Sequence, residues 1–390
     1  MTPADAIWIA LGIAAASAAF NLYSAVRGLG AMVKLPESVP PRESWPRVSL
    51  IVAACNEAES IEEATLAKLT SDYPNLEVVL VDDRSSDGTS EIADRLAASD
   101  ARLRVVHVKE LPAGWLGKVH ALEMGRRHAT GEWLLFSDAD VHFDADLLRK
   151  VLSEVLRREL EFVTIAPKLL SSSFALDAIL ACFMRMLVVG GRLYKISDPK
   201  SRVAVGGGVF NLAKLSAFDR SPGFEWLRME IADDVALGQM MKRSGARSAI
   251  FDGAHGVRLH FYRSVGEMMR GLEKNGYAVF GGLNPLRLLL TVGLLLGLEV
   301  GPLLMLCWPS LPVRLGALAV LAATTLSQVL VARAGKRDVP SALLPWVGAL
   351  ALVAFSVRSA ILTHWRGGVV WRGTLYPLAE LRAGRRLELF

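Results

Sequence analysis

The stretch Leu76-Glu77-Val78-Val79-Leu80-Val81 runs straight into Asp82-Asp83-Arg84-Ser85-Ser86-Asp87-Gly88-Thr89. A short, mostly apolar run rich in valine predicts a buried strand, and the polar turn-formers after it predict a strand end that opens into a helix. The same grammar repeats on either side. Residues 48–54 form an apolar run that ends in Ala53-Ala54-Cys55-Asn56-Glu57, and residues 133–136 form another that ends in Phe136-Ser137-Asp138-Ala139-Asp140. Residues 103–106 predict a further strand, and helical patterns over 57–69, 87–97 and 118–128 fill the gaps. Strands alternating with helices predict an α/β fold, a mostly parallel sheet with helices on both faces. In such sheets ligands bind beyond the carboxyl ends of the strands.

Those ends are acidic. Asp87 and Asn56 read as caps for the helices that follow. Capping leaves Asp82, Asp83, Asp138 and Asp140 unexplained, because carboxylates converging on one edge repel unless a cation or hydrogen-bond donors neutralise them. Asp138-Ala139-Asp140 can aim two hard oxygen ligands at one side of a cleft, a pattern that suits Mg or Mn with substrate phosphates and water completing the shell. Asp233-Asp234 opens an amphipathic helical pattern over 235–243, either as an ordinary helix start or as a carboxylate held to take a proton. Gly206-Gly207-Gly208 lacks the Lys-Ser/Thr of a P-loop, so it predicts a close approach of backbone to substrate. The 7 histidines show no HExxH spacing.

The order Ala53-x-x-Asn56-Glu57, Val81-Asp82-Asp83-x-Ser85-x-Asp87-Gly88-Thr89, Gly117-Lys118-x-x-Ala121-Leu122 and Asp138-x-Asp140 resembles glycosyltransferase family 2, which implies a GT-A fold. Ile231-Ala232-Asp233-Asp234-Val235-Ala236-Leu237 is similar to that family's Glu-Asp-x-x-Leu acceptor motif. Gly114-Trp115-x-Gly117-Lys118, Lys274-Asn275 and Trp371-Arg372-Gly373-x-x-Tyr376 resemble its membrane-anchored branch, which contains hopanoid-associated and carotenoid-type glycosyltransferases. The resemblance implies that Ala53, Asn56, Glu57 and Asp83 contact the nucleotide, with Asp82 nearby and Lys118 facing the uracil or diphosphate. It implies that Asp138 and Asp140 flank the ribose and a divalent cation, and that Asp234 is the general base, with Asp233 where Glu is more usual. Two departures stand out. No (Gln/Arg)-x-x-Arg-Trp motif follows Asp234, which counts against polymer synthesis, and Gly223-Phe224-Glu225-Trp226 lacks a histidine found in some relatives.

The implied activity is inverting transfer of a single sugar from a nucleotide-sugar donor, UDP-linked, to a lipid-type acceptor, with no nucleic-acid partner. A metal-dependent nucleotidyltransferase is the enzymatic alternative; it needs a second basic cluster for a triphosphate. An inactive membrane scaffold is the other, and it should have lost some of Asp138, Asp140 and Asp234.

Across 390 residues, 52% are hydrophobic and 21% charged, which excludes a disordered chain. The 3 cysteines, Cys55, Cys182 and Cys307, lie too far apart for a zinc or disulfide framework and suit a reducing compartment. Residues 6–26 are apolar over the length of a bilayer core and have no basic residue before them, so they predict an anchor rather than a cleaved signal. Arg27 and Lys34 place the far end in the cytoplasm. The expected organisation is an anchor over 1–34, a Pro-rich linker over 35–46, a cytoplasmic catalytic domain over 47–284, membrane helices over 285–363 and a basic interfacial tail over 364–390. A multi-pass protein of the cell inner membrane follows. Apolar blocks at 286–308, 313–332 and 342–357 leave one conflict: the loop with Arg333, Lys336 and Arg337 and the tail with Arg358, Arg366 and Arg372 both favour the cytoplasm, yet one span would separate them. Either the third block is re-entrant or the tail charges do not set orientation. Residues 179–193 form either a membrane-surface helix or a buried one.

Overall fold

A computed structural model describes residues 2–388. One nine-stranded sheet organises them. Its strands are β1 (Val33–Lys34), β2 (Val48–Ala54), β3 (Leu76–Asp83), β4 (Leu103–Val108), β5 (Trp133–Asp138), β6 (His142–Phe143), β7 (Phe162–Leu169), β8 (Asn211–Lys214) and β9 (Ser248–Leu259). They lie in the order β1-β9-β7-β8-β5-β2-β3-β4, with β6 added along β9. β4, β3, β2 and β5 run parallel, and β8 enters antiparallel between β5 and β7.

Both faces of the sheet are covered, which is why its strands read as nearly continuous apolar runs. Ile51, Val79 and Val81 pack into one core with Val119 and Leu122 of the helix Gly117–His128 and Leu237 and Met241 of the helix Asp233–Arg243. Leu50, Val52, Val78 and Leu80 pack into the other core with the helices Ile61–Leu69, Thr89–Ser99 and Leu147–Arg157. The helices after β2 and β3 begin later than the residue pattern suggests. Asn56 takes a positive φ of 55° and Arg84 one of 58°, so each strand end first makes a tight left-handed turn.

That geometry makes the site. β2 lies between β3 and β5, where the strand order reverses, and the register pairs Ala54 with Asp82 and Ala53 with Asp138. The three acidic strand ends therefore share one edge, at the switch point where open α/β sheets bind ligands.

Among the described residues, four helices are long and apolar enough to cross a membrane: Pro3–Ala31, Phe174–Lys195, Leu311–Ala334 and Pro345–Arg366. The first and third cover the expected blocks at 6–26 and 313–332. The block at 286–308 breaks after Glu299, and a 91° bend joins Pro285–Glu299 to the preceding helix Val265–Gly281. The third C-terminal block is longer than its apolar letters suggest, because Pro345 sits in the first helical turn, where it forfeits no hydrogen bond. Residues 179–193, open between two readings, lie in the candidate span Phe174–Lys195, whose Arg185 is buried. Arg185 donates to Glu299 at 2.7 Å and to the side-chain oxygens of Asn21 and Gln328, each at 3.2 Å, so one guanidinium ties four helices together.

Both basic segments make contacts outside the membrane helices. Before Pro345–Arg366, Arg337 donates to the carbonyl of Leu169 at the end of β7. After it, the chain forms a hairpin of β10 (Gly368–Trp371) and β11 (Thr374–Pro377), and Tyr376 bonds the amide of Gly117 at the catalytic edge. The segments on both sides of this helix thus contact the α/β domain.

Candidate active site

A cleft of about 250 Å³ opens at the carboxyl ends of β2, β3 and β5. Its floor comes from strand ends: Ala53 from β2, Asp83 from β3, and Asp138, Ala139 and Asp140 after β5. Lys118, in the first turn of Gly117–His128, reaches in from the side, and Lys274 descends from Val265–Gly281. Residues beyond the membrane helices complete the wall. Trp371, Arg372 and Tyr376 all face the cleft; Arg372 pairs with Glu57, and the Lys274 ammonium lies 3.6 Å over the Trp371 ring. Residues 371–376, within the stretch expected as an interfacial tail, therefore supply one side of the cleft.

A narrower cavity of about 10 Å³ adjoins it, lined by Asp233, Asp234, Gly208 and Asn211 and sharing Lys118 and Asp138 with the larger cleft. Lys118 is the hinge of the electrostatics. Its ammonium sits 2.6 Å from Asp138 and 3.6 Å from Asp233. Burial alone would lower its pKa, but the carboxylates of Asp138, Asp233 and Asp234 outweigh that and hold it charged. Burial likewise works to raise Asp138, and the adjacent Lys118 overcomes it, leaving that carboxyl below its ordinary value. Asp233 goes the other way: burial pushes it up despite Lys118.

Asp234 is held by backbone. The amide of Gly208 donates to its Oδ2 at 2.7 Å and that of Val235 to its Oδ1 at 2.8 Å. Glycine at 206 and 208 is required by close approach. A Cβ on Gly208 would sit 2.3 Å from an Asp138 oxygen, and one on Gly206 would sit 2.0 Å from the Asp234 carbonyl. The triglycine thus lets backbone approach the two acidic motifs themselves.

Adjacent residues of β3 point to opposite faces, and this separates Asp82 from Asp83. Asp83 is on the cleft and paired with Arg84 at 2.8 Å. Asp82 turns away, accepting from Ser90 and lying 3.1 Å from His107. Asn56 also lies off the cleft wall: its side-chain oxygen accepts from the Ser86 amide, welding two strand-end loops together. Asp87 serves the same join, accepting from the amides of Thr89 and Ala58. Glu57 lines the cleft and has its carboxyl raised, chiefly by desolvation. Arg84 and Cys55 also line it and carried no sequence signal of their own.

Asp138 and Asp140, the pair expected to hold a divalent cation, both line the cleft, with Asp138 paired to Lys118. Desolvation at the cleft floor, and then the neighbouring Asp138 carboxylate, push the Asp140 carboxyl up. No group of three or more His, Cys, Asp or Glu suited to a metal exists among the described residues. A pair of carboxylates with water and substrate phosphates is nonetheless how Mg²⁺ is commonly held.

Residues 49–169 match the family model described as Glycosyl transferase family 2. Over 344 residues the chain is 24% identical to 4,4'-diaponeurosporenoate glycosyltransferase of Staphylococcus aureus (strain USA300), covering 85% of this chain and 89% of that protein. It is 28% identical over 200 residues to the poly-beta-1,6-N-acetyl-D-glucosamine synthase of Staphylococcus epidermidis, covering 49% of this chain and 44% of that one. The chain spans less than half the length of the first curated relatives it matches. Among solved structures, a mannosyltransferase from Pyrobaculum calidifontis in complex with GDP-Man and Mn²⁺ superimposes with a TM-score of 0.60 at 22% identity, covering 93% of this chain and 99% of that one. That likeness shows the fold, a GT-A-type sheet with helices.

Proposed function

We propose that this chain, which carries a glycosyl transferase family 2 domain, transfers one sugar from a nucleotide-sugar donor, with UDP-sugars the expected class, to a hydroxyl of a lipid-type acceptor. The transfer proceeds with inversion at the cytoplasmic face of the cell inner membrane. The observation that carries this reading is the cleft at the sheet's switch point, where Asp83, Lys118, Asp138 and Asp140 converge and Asp233 and Asp234 adjoin.

The roles follow from the placement. Glu57, Asp83 and the hairpin residues Trp371 and Arg372 enclose the nucleotide; Lys118 and Lys274 face the diphosphate. A divalent cation on Asp138 and Asp140 would neutralise charge on the leaving diphosphate. Asp234 takes the acceptor's proton as the new bond forms, and the buried Asp233 keeps Lys118 in place. The lipid acceptor rests on a connection: the helix that carries Lys274 into the cleft bends directly into Pro285–Glu299, whose Leu286, Leu289, Leu290 and Leu294 are exposed at 60–65%. Apolar surface of that kind suits a hydrocarbon environment and leads to the catalytic edge.

Membranes containing the protein, incubated with radiolabelled UDP- and GDP-sugars and then extracted with organic solvent, test this directly. Label is expected in the lipid phase with one sugar nucleotide. Its appearance only in a water-soluble polymer would overturn the lipid reading. EDTA should abolish transfer and added Mn²⁺ or Mg²⁺ restore it; undiminished transfer after thorough chelation would remove the cation from the scheme.

The hairpin gives a separate prediction. Replacing Trp371 and Arg372 together by alanine removes a cation–π contact and an ion pair, each worth about 1 kcal/mol. Nucleotide-sugar affinity should fall by about tenfold or more, read by calorimetric titration. Unchanged affinity would show that the hairpin is not a wall of the donor site.

A further inference from the structure

Lys68 is the least expected charge in the catalytic domain. It belongs to the helix Ile61–Leu69, is 1% exposed, and forms no ion pair among the described residues. Lysine is almost never buried so completely unless something specific receives its ammonium. Here backbone does. Nζ donates to the carbonyl of Val141 at 2.8 Å, to that of Ala139 at 3.1 Å and to that of Ala64 at 3.5 Å. The first two carbonyls flank Asp140 on either side. The Phe143 ring lies 5.9 Å away, and the carboxylates of Asp140 and Asp138 are close enough to act on the ammonium through space.

We propose that Lys68 is a positioning residue for the divalent-cation site: by tying down the carbonyls of Ala139 and Val141 from beneath, its ammonium fixes the direction in which Asp140, and with it Asp138, presents its carboxylate. This rests on the reading of Asp138 and Asp140 as the cation's ligands. The loop is pinned at both ends, by the Asp138 amide donating to the Gly208 carbonyl and by His142–Phe143 pairing with β9; between those ends Lys68 is what bonds the carbonyls on either side of Asp140. A rigid three-donor ammonium under the loop sets its path before cation or donor arrives. Groups behind metal ligands commonly change metal affinity by about 10–100-fold when removed.

The inference has a sign that separates it from simple electrostatics. Through space, a buried ammonium repels a bound cation, so at a pH where Asp138 and Asp140 are both ionised its charge alone predicts that removing Lys68 tightens cation binding. Positioning predicts the opposite. The test is Mn²⁺ titration of the purified full-length protein in the presence of saturating UDP, with free Mn²⁺ read by electron paramagnetic resonance. Lys68→Met, which keeps the length and removes every donor, should weaken Mn²⁺ binding by about tenfold or more. Lys68→Gln, which restores one donor without the charge, should fall between Met and the native protein. UDP binding without metal should be unaffected by either change. Native or tighter Mn²⁺ binding by folded Lys68→Met overturns the proposal; if that variant does not fold, the same result for Lys68→Gln overturns it. Asp140→Asn distinguishes this failure from failure of the site. If Asp140→Asn retains native Mn²⁺ affinity, the cation site itself is wrong. If Asp140→Asn loses Mn²⁺ while Lys68→Met keeps it, only the role of Lys68 is refuted.

Discussion

Asp234→Asn should lower sugar transfer by about a hundredfold or more while leaving nucleotide-sugar affinity nearly unchanged. The asymmetry follows from where Asp234 sits. It lines the narrow cavity beside Asp233 and not the larger cleft, so the donor has little to lose. Both of its oxygens accept backbone amides, from Gly208 and Val235, yet a carboxylate oxygen has lone-pair capacity left for an acceptor hydroxyl. Asparagine keeps one acceptor but turns an NH₂ toward the other amide, and it cannot take a proton at all. The structural part of that change is one mismatched hydrogen bond, worth about 1–3 kcal/mol, so thermal stability is measured alongside. Asp233→Asn is the companion. Asp233 is buried against Lys118, and its loss should cost less in turnover than that of Asp234. Normal turnover by Asp234→Asn with intact donor binding would refute its role as base. Equal losses in the two variants would mean that the pair, and not Asp234, is the functional unit.

The parts of this site that residue pattern alone makes legible are strand ends, whereas Lys118, Asp234 and the Trp371 motif stood out only through the family resemblance. Val81-Asp82-Asp83 and Phe136-Ser137-Asp138 announce themselves because an apolar run stops at a carboxylate, and the parallel register then brings such stops together. Which carboxylate of a pair faces the cleft is a different matter. Asp82 and Asp83 are equivalent letters until the pleat assigns one to each face. Lys68 was invisible for a related reason, since a lysine on a short helix reads as solvated surface unless the helix is known to cover a loop. The hairpin lies further still from local inference. Tyr376 meets Gly117 across 259 residues, and nothing near either residue encodes that meeting. Counting charges beside apolar blocks is local in the same way, and it does not see that the segments on both sides of Pro345–Arg366 contact the α/β domain.

Arg185→Leu should destabilise the helical region more than any surface change in this chain. Arg185 is 1% exposed and Glu299 6%, and their contact at 2.7 Å is the ion pair among the bonds that Arg185 makes. Deleting the guanidinium leaves Glu299 buried without a cation. It also strips the donors from Asn21 and Gln328, and one Glu299 oxygen already has no partner. Removing one member of a buried pair costs about 3–5 kcal/mol, which corresponds to a fall in apparent melting temperature of roughly 5–10 °C at fixed scan rate in detergent. The double variant Arg185→Leu with Glu299→Leu separates two causes. If the stranded charge is the main penalty, the double variant should recover most of the loss, because apolar replacement of both partners is often neutral or stabilising. Recovery should stop short of complete, since Asn21 and Gln328 keep other bonds, to Ser17 and Ala342, but still lack their former donor. A single variant as stable as the native protein would mean that the four helices are held by apolar packing alone. No recovery in the double variant would assign the loss to the bonds with Asn21 and Gln328 instead of to the ion pair.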